Sequence, residues 1–383
     1  MNNEEKSLLI RTYFIFLCSG AVSTLTGAIL PDMQAEYNLS YFIRGLLLSF
    51  QQFGNLSAML LAGVLPFIIG RKKCTLILSS GIVLGIIMFI LSSNPIVLII
   101  AFALTGVGRG TLSNTSNVVV STITNNSSAG LNILHASFAL GALLSPIVAA
   151  LLGSNWKISS LIFAILMAIS IFFINNSILS NEKEKRVVGE KNQFYKDIDF
   201  YLVTFTLFFY LCSEASLMGW MVTYFSETGL LNPSKAKIMQ SLIWIMILVG
   251  RLFSASISRK LKNKMILVLF LGFGFTIFFY IMMCVKSEII MIISLLCVGL
   301  SMSGIYPTTI STQNPKYNSD TIATGACMAL ATVGGVLWPN IIGLIAERRD
   351  LKGAMLSIII PLFAMDILII IKLLRYKRIK KIM

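Results

Sequence analysis

Gly141–Pro146 reads GALLSP, and at a constant offset of 193 residues Gly334–Pro339 reads GGVLWP. The same ungapped shift carries Gly106 onto Gly299, Leu144 onto Leu337 and Leu151 onto Leu344. It also carries the basic turn at Arg71 onto Lys264, inside a second basic turn. Small residues, prolines and charged turns in register over one offset mark an internal structural repeat.

Outward from those two segments the chain is strongly apolar. It is 56% hydrophobic and 12% charged, with mean hydropathy +0.84, too little polar surface to cover a water-soluble body. Apolar stretches near the ~20 residues needed to cross a bilayer recur along it. The first half reads as Thr12–Leu30, Ile43–Ile69, Cys74–Ser93, Ile96–Thr124, Gly130–Leu152 and Ile158–Ile178. The second reads as Phe200–Phe225, Ile238–Ile257, Met265–Cys284, Ile289–Thr312, Ile322–Ala346 and Ala354–Leu374. Nothing alternates like a barrel strand, so the predicted fold is an all-α integral membrane protein. It has twelve transmembrane helices in two pseudo-symmetric six-helix halves, the pattern of a two-fold transporter. The first apolar stretch is too long for a signal peptide and belongs to the repeat, so it is kept as a span.

The domains follow: residues 1–180, a charged linker 181–199 (NEKEKRVVGEKNQFYKDID) and residues 200–383 with a basic tail. With the N-terminus inside, cytoplasmic segments carry 21 lysines and arginines. External segments carry 8: Arg44, Lys157, Lys235, Lys237, Lys286, Arg348, Arg349 and Lys352. That asymmetry predicts a multi-pass protein of the cell membrane with both termini cytoplasmic. The net charge of +15 then signals topology and attraction to anionic headgroups, and the terminal RYKRIKK reads as a juxtamembrane anchor rather than a nucleic-acid site. Cys18, Cys74, Cys212, Cys284, Cys297 and Cys327 form no CxxC pair, so neither a disulfide framework nor a metal site is expected.

Ionisable residues inside spans are functional candidates, because charge is costly in hydrocarbon. Glu214, in YLCSEASLMGWMVTY, lies about 21 Å into the seventh span at ~1.5 Å per residue. Desolvation and a nearby arginine act on a carboxylate in opposite senses, and a group balanced between them binds and releases protons as access alternates. The bland alternative is a carboxylate bonded to a neighbouring helix for packing. Arg109, in GVGRGTLSN, shares a helix face with Ser113 and Asn117. A buried guanidinium needs a partner, which is Glu214, an anionic or polar substrate, or backbone carbonyls. Asp366 and Arg251 complete the intramembrane charges considered, with Arg251 nearer the cytoplasmic end. His135, the one histidine, has the titration range of a proton relay or serves in packing.

Polar stripes offer a solute path or helix–helix glue. These are Ser19, Ser23 and Thr26 on the first span, Gln51, Gln52 and Asn55 on the second, and Tyr306, Thr309 and Gln313 on the tenth. Trp338 of GGVLWP is a further substrate-contact candidate. No nucleophile has a histidine base in a recognisable arrangement and no phosphate-binding glycine loop follows a strand, so an enzyme, a cofactor and an ATP-driven pump are not expected.

Two six-span halves joined by a charged loop resemble the major facilitator superfamily. Its GxLxDRxGRR loop is partly matched by GVLPFIIGRKK, where Gly63, Leu65, Gly70, Arg71 and Lys72 agree. Phe67 and Ile68 stand in place of the aspartate and first arginine. The family's aspartate helps latch the halves. Arg109 matches its fourth-span arginine, often tied to proton coupling. Its antiporter GxxxGPxxGG pattern survives at Gly141 and Pro146, with Ser145, Ala149 and Ala150 replacing glycines. A closer resemblance is to the fucose–galactose–glucose:proton symporters and their uncharacterised relatives. Asn132, His135, Phe138, Gly141 and Pro146 are similar to their NxxHxxFxxGxxxxP. Glu214, Trp220 and Tyr224 are similar to their ExxxxxWxxxY, and Tyr306–Pro307 to their YP. Gly27 and Ser113 stand where those symporters carry membrane carboxylates.

The resemblance implies a secondary active transporter working by alternating access on a small polar solute, with a sugar the leading candidate. Proton coupling would run through Glu214, with Arg109 and His135. The substrate would meet Arg109, Ser113, Asn117, Gln51, Gln52, Asn55, Glu214, Trp220, Tyr306 and Trp338. Gly63, Gly70, Arg71, Gly141, Pro146, Gly334 and Pro339 would serve gating and helix packing. A monomer is expected, its partners being solute, protons and lipid. Proton-coupled efflux of amphipathic compounds is the second reading, and a receptor without transport the third.

Overall fold

A computed structural model describes residues 3–124, 127–179, 194–261, 263–313 and 321–382. Among them the chain is helical throughout, without a strand. The central part of the linker, residues 181–193, and Lys262 and Lys316, two of the cations expected in cytoplasmic segments, lie outside the described residues.

The first six spans are α1 (Asn3–Tyr37), α2 (Tyr41–Val64), α4 (Arg71–Leu91), α5 (Pro95–Ile123), α6 (Ser127–Leu151) and α7 (Trp156–Asn175). The short α3 (Pro66–Ile69) lies between α2 and α4. The second set is α8 (Ile198–Glu227), α9 (Pro233–Lys260), α10 (Met265–Cys284), α11 (Glu288–Ile310), α12 (Thr321–Arg348) and α14 (Ile359–Ile382). A six-residue α13 (Leu351–Leu356) precedes α14. Eleven of the described helices are long and apolar enough to cross a bilayer, and the 24-residue α2 makes the twelfth. The predicted Ile43–Ile69 span is broken after Val64: Pro66 starts α3, and Gly70 (φ +82°) turns the chain into α4, a conformation disfavoured for residues with a Cβ.

Local chemistry sets the other starts. Ser40 Oγ accepts from Ile43 N at the head of α2. Asn94 Oδ1 accepts from Ile96 N, with Pro95 as the first residue of α5. Asp197 accepts from Asp199 N before α8. Each satisfies an amide left over at a helix start.

The chain folds as two compact units: Met1–Val187 with Asn232–Ser241, and Val188–Leu231 with Leu242–Met383. Within each, the repeat has the same packing role. Gly141 of α6 lies against the Leu17 carbonyl of α1, and Gly334 of α12 lies against the Phe208 carbonyl of α8. A Cβ at either glycine would run into that carbonyl oxygen. Gly106 of α5 likewise approaches Gln51 of α2, and Gly299 of α11 approaches Ile243 of α9. Helices in lipid gain their attraction from close packing, so small residues at these crossings hold each unit together.

Side chains also tie α1 to α7 near both ends. Trp156 Nε1 donates to Glu36 at 2.8 Å, and Lys157 pairs with the same carboxylate. Arg11 donates to the carbonyls of Phe173 and Asn176. Arg44 and Lys237, expected in external segments, are instead buried within α2 and α9. Arg44 lies over the Tyr41 ring, 4.1 Å from its centroid.

Candidate functional site

In the second unit, Glu214 sits on α8 with the Tyr210 phenol as its hydrogen-bonding neighbour and the Arg251 guanidinium of α9 as its charged neighbour. Tyr210 is also held by the Met302 carbonyl of α11 at 3.2 Å, and its ring lies 6.2 Å from that of Tyr306. Three helices thus converge on one carboxylate. Glu214 is half-buried. Tyr210 and Glu214 are four residues apart and share a face of α8, so their pairing is local. Arg251 of α9 acts on both through its charge. Its Nε is buried without a hydrogen-bond partner. Sequence reasoning named Glu214, Tyr306 and Arg251 but not Tyr210, although the spacing in YLCSE contains it.

In the first unit, Arg109 of α5 is half-buried, with a buried Nε that has no hydrogen-bond partner. Glu214 and Arg109 belong to different units. Ser113 and Asn117 are half-buried on the same helix, and Asn117 Nδ2 donates to the Ser113 carbonyl. Arg71 donates to Asn114 Oδ1 at 3.3 Å, and Thr75 bonds Thr115 one turn on. The basic turn is therefore fastened to α5.

Several predicted contacts are occupied by packing. Gln51 is buried, accepts from Thr26 and donates to Thr105, both at 3.2 Å, which joins α1, α2 and α5. Gln52 and Asn55 remain half-buried. Trp220 is fully buried and donates its single N–H to the Pro339 carbonyl at 3.1 Å, leaving no donor for a solute. The proline's ring clashes with the turn before it and frees a carbonyl there, and Trp220 fills part of the polar demand around that irregularity. Trp338 is half-buried with its N–H unpartnered, and Asn340 Oδ1 is also unpartnered. His135 is exposed on α6, its ring edge-on to Phe16 at 5.9 Å. Asp366, in α14, accepts from Thr276 of α10 at 2.7 Å, away from these groups in sequence and helix.

No group of three histidine, cysteine or acidic side chains with metal-binding geometry occurs among the described residues. What the arrangement offers is proton exchange at a carboxylate and hydrogen bonding to a polar solute.

Known proteins share this architecture. The chain is 24% identical over 363 residues to the glucose/mannose transporter GlcP of Bacillus subtilis (strain 168), covering 86% of each. It is 23% identical over 362 residues to a TsgA homolog of Buchnera aphidicola subsp. Baizongia pistaciae, covering 90% of each. Its fold matches the crystal structure of nucleoside transporter NupG with a TM-score of 0.74 at 13% identity, over 96% of this chain and 98% of that one. A bacterial Spinster homolog, in an inward-facing and unoccupied conformation, matches with a TM-score of 0.78 at 12% identity, over 96% and 97%. The model of the Major Facilitator Superfamily matches residues 12–339. With a repeat of six spans, a helical membrane fold and that match, the chain belongs to the Major Facilitator Superfamily and is a transporter rather than an enzyme.

Proposed function

We propose that this transporter couples proton movement to the passage of a small polar solute, a sugar being the favoured class. Its halves, residues 1–180 and 200–383, would alternate access across the cell membrane, with both termini cytoplasmic and the monomer as the working unit. The observation that carries the reading is Glu214, a half-buried carboxylate on a membrane-spanning helix, beside the Tyr210 phenol and within electrostatic reach of the Arg251 guanidinium. Protonation would weaken its attraction to Arg251, and the released guanidinium would then be free to bond solute or water. In the first unit Arg109 has an unpartnered Nε, and in the second Trp338 offers an aromatic face with a free N–H. Aromatic faces and amide or hydroxyl groups are what a sugar's C–H and O–H surfaces meet. The sugar assignment also draws on the likeness to the transporter named for glucose and mannose.

The test is flux into proteoliposomes under an imposed inward proton gradient, with glucose, mannose and a nucleoside as probes. Sugar accumulation that collapses when the gradient is dissipated supports the reading. Gradient-driven extrusion of amphipathic compounds instead supports efflux. The absence of any flux leaves the receptor reading.

A further inference from the structure

Asp366 stands in the apolar run LFAMDILII of α14, with 2% of its surface exposed. Its Oδ2 accepts from Thr276 Oγ1 of α10 at 2.7 Å, and its Oδ1 is buried with no hydrogen-bond partner. Oδ1 lies against Gly272, one turn before Thr276 on α10, where a Cβ would come within 2.4 Å of it. The side chains of Met365 and Ile369 line the same gap. One helix thus offers a hydroxyl to the first oxygen and bare backbone to the second.

No cation meets this carboxyl among the described residues. Within the second unit α14 packs against α10 and α8. Tyr280 and Cys284 of α10 are turned to each other, and Tyr210 and Glu214 of α8 to Arg251. The cations of α14 itself are engaged elsewhere, Lys372 with the Thr312 carbonyl and Arg375 with Asp199. Thr276 is the polar side chain that faces Asp366.

An ionised carboxylate spreads its charge over two oxygens with about four acceptor sites, and here it would receive one hydrogen bond. Burying it so, with no cation, is expensive in a membrane-spanning helix. The neutral acid asks for less. Its O–H can donate to the Thr276 hydroxyl across the same contact, which leaves Oδ1 an uncharged carbonyl oxygen. A hard metal ion fits less well, because it takes about six or more oxygen ligands and the gap is lined by Met365 and Ile369. Packing alone does not call for an acid at this place. In the first unit α4 and α7 pack in the same way, and the 193-residue offset puts Val83 and Phe173 at the positions of Thr276 and Asp366.

We propose that Asp366 is a proton-binding site of the second unit, distinct from Glu214, where the bound proton bridges α14 to the Thr276 hydroxyl of α10. Losing that proton leaves an unpaired charge in the contact between the two helices and loosens it. The site lies on different helix faces from the Glu214 group and needs no solute, so it stands apart from the coupling reading above.

The experiment is infrared difference spectroscopy on the full chain in lipid nanodiscs at about pH 6, well above the ~3.9 at which an exposed aspartate titrates. The parent should show the C=O stretch of a protonated carboxylic acid that Asp366→Asn lacks, and that band should vanish on raising the pH. Thr276→Val removes the hydroxyl and keeps the shape, so the band should move to higher frequency. Glu214→Gln should leave it in place. Thermal unfolding gives a second readout. A folded state that holds a proton the unfolded chain has released loses stability as pH rises. The parent's midpoint should therefore fall more steeply between about pH 6 and pH 9 than that of Asp366→Asn, whose amide mimics the neutral acid. An acid band at pH 6 that is equal in the parent and Asp366→Asn would overturn the proposal, as would a band lost in Glu214→Gln. If Asp366→Asn does not fold, Thr276→Val decides, and a band that it leaves unmoved overturns the assignment.

Discussion

Tyr210 and Glu214 lie one turn apart on α8, and the phenol of the first donates to the Met302 carbonyl of α11 at 3.2 Å beside the carboxylate of the second. The tyrosine can donate to only one of them at a time. When Glu214 is charged, the carboxylate is the stronger acceptor; when it is neutral, Met302 competes. Tyr210 thereby links the protonation of Glu214 on α8 to α11.

Tyr210→Phe removes that link and keeps the ring. Proton-driven accumulation is expected to weaken about tenfold, the effect of losing a hydrogen bond to a charged group, with thermal stability reduced by about 1–2 kcal/mol. Initial uptake rates with and without a gradient measure it: a fall in the driven rate alone is the expected outcome.

The paired glycines make a prediction about the fold. Gly141→Ala and Gly334→Ala each place a Cβ against a backbone carbonyl of the neighbouring helix, which cannot move as a side chain end could. Each should cost about 1–3 kcal/mol or more, by similar amounts in the two units. Thermal unfolding in detergent checks this, and an unchanged midpoint for either would contradict the equivalence of the two crossings.

Trp220→Phe leaves the Pro339 carbonyl without its indole donor. Stability should drop by about 1–3 kcal/mol, while KM for the solute stays at the parent value, because the N–H is committed to the protein. Gln51→Leu should behave in the same way with a smaller loss of about 1 kcal/mol, its two bonds going to threonine side chains. A raised KM in either variant would return that residue to the solute site.

The fold was legible because its signals are local. Span length, the offset between GALLSP and GGVLWP and the break at Pro66 and Gly70 all lie within a few residues of the features they specify. Glu214 was legible as a charge inside an apolar run, and Tyr210 could have been read from the four-residue spacing. The electrostatic influence of Arg251 on Glu214 could not, since it depends on the rotation of α9 about its axis. The same limit hid Trp220's bond to Pro339, which turns a predicted solute contact into a packing residue. Lys237 shows the limit most plainly: it was counted among external-segment charges, yet the helix begins before it and buries it against Asp32.

The lysine and arginine asymmetry leads us to propose that segment 181–199 is cytoplasmic. Single cysteines placed in segment 181–199 should react with an impermeant maleimide only in inside-out vesicles. Reaction in right-side-out vesicles would reverse the topology.

The central claim is that Glu214 carries the coupling proton. Glu214→Gln keeps the shape and a carbonyl oxygen that can accept a hydrogen bond but cannot ionise. Sugar uptake into proteoliposomes under an imposed inward proton gradient, measured beside counterflow exchange with no gradient, tests it most directly. The account predicts that accumulation above equilibrium is abolished while counterflow exchange persists; accumulation equal to the parent's would contradict it and leave Glu214 a structural carboxylate.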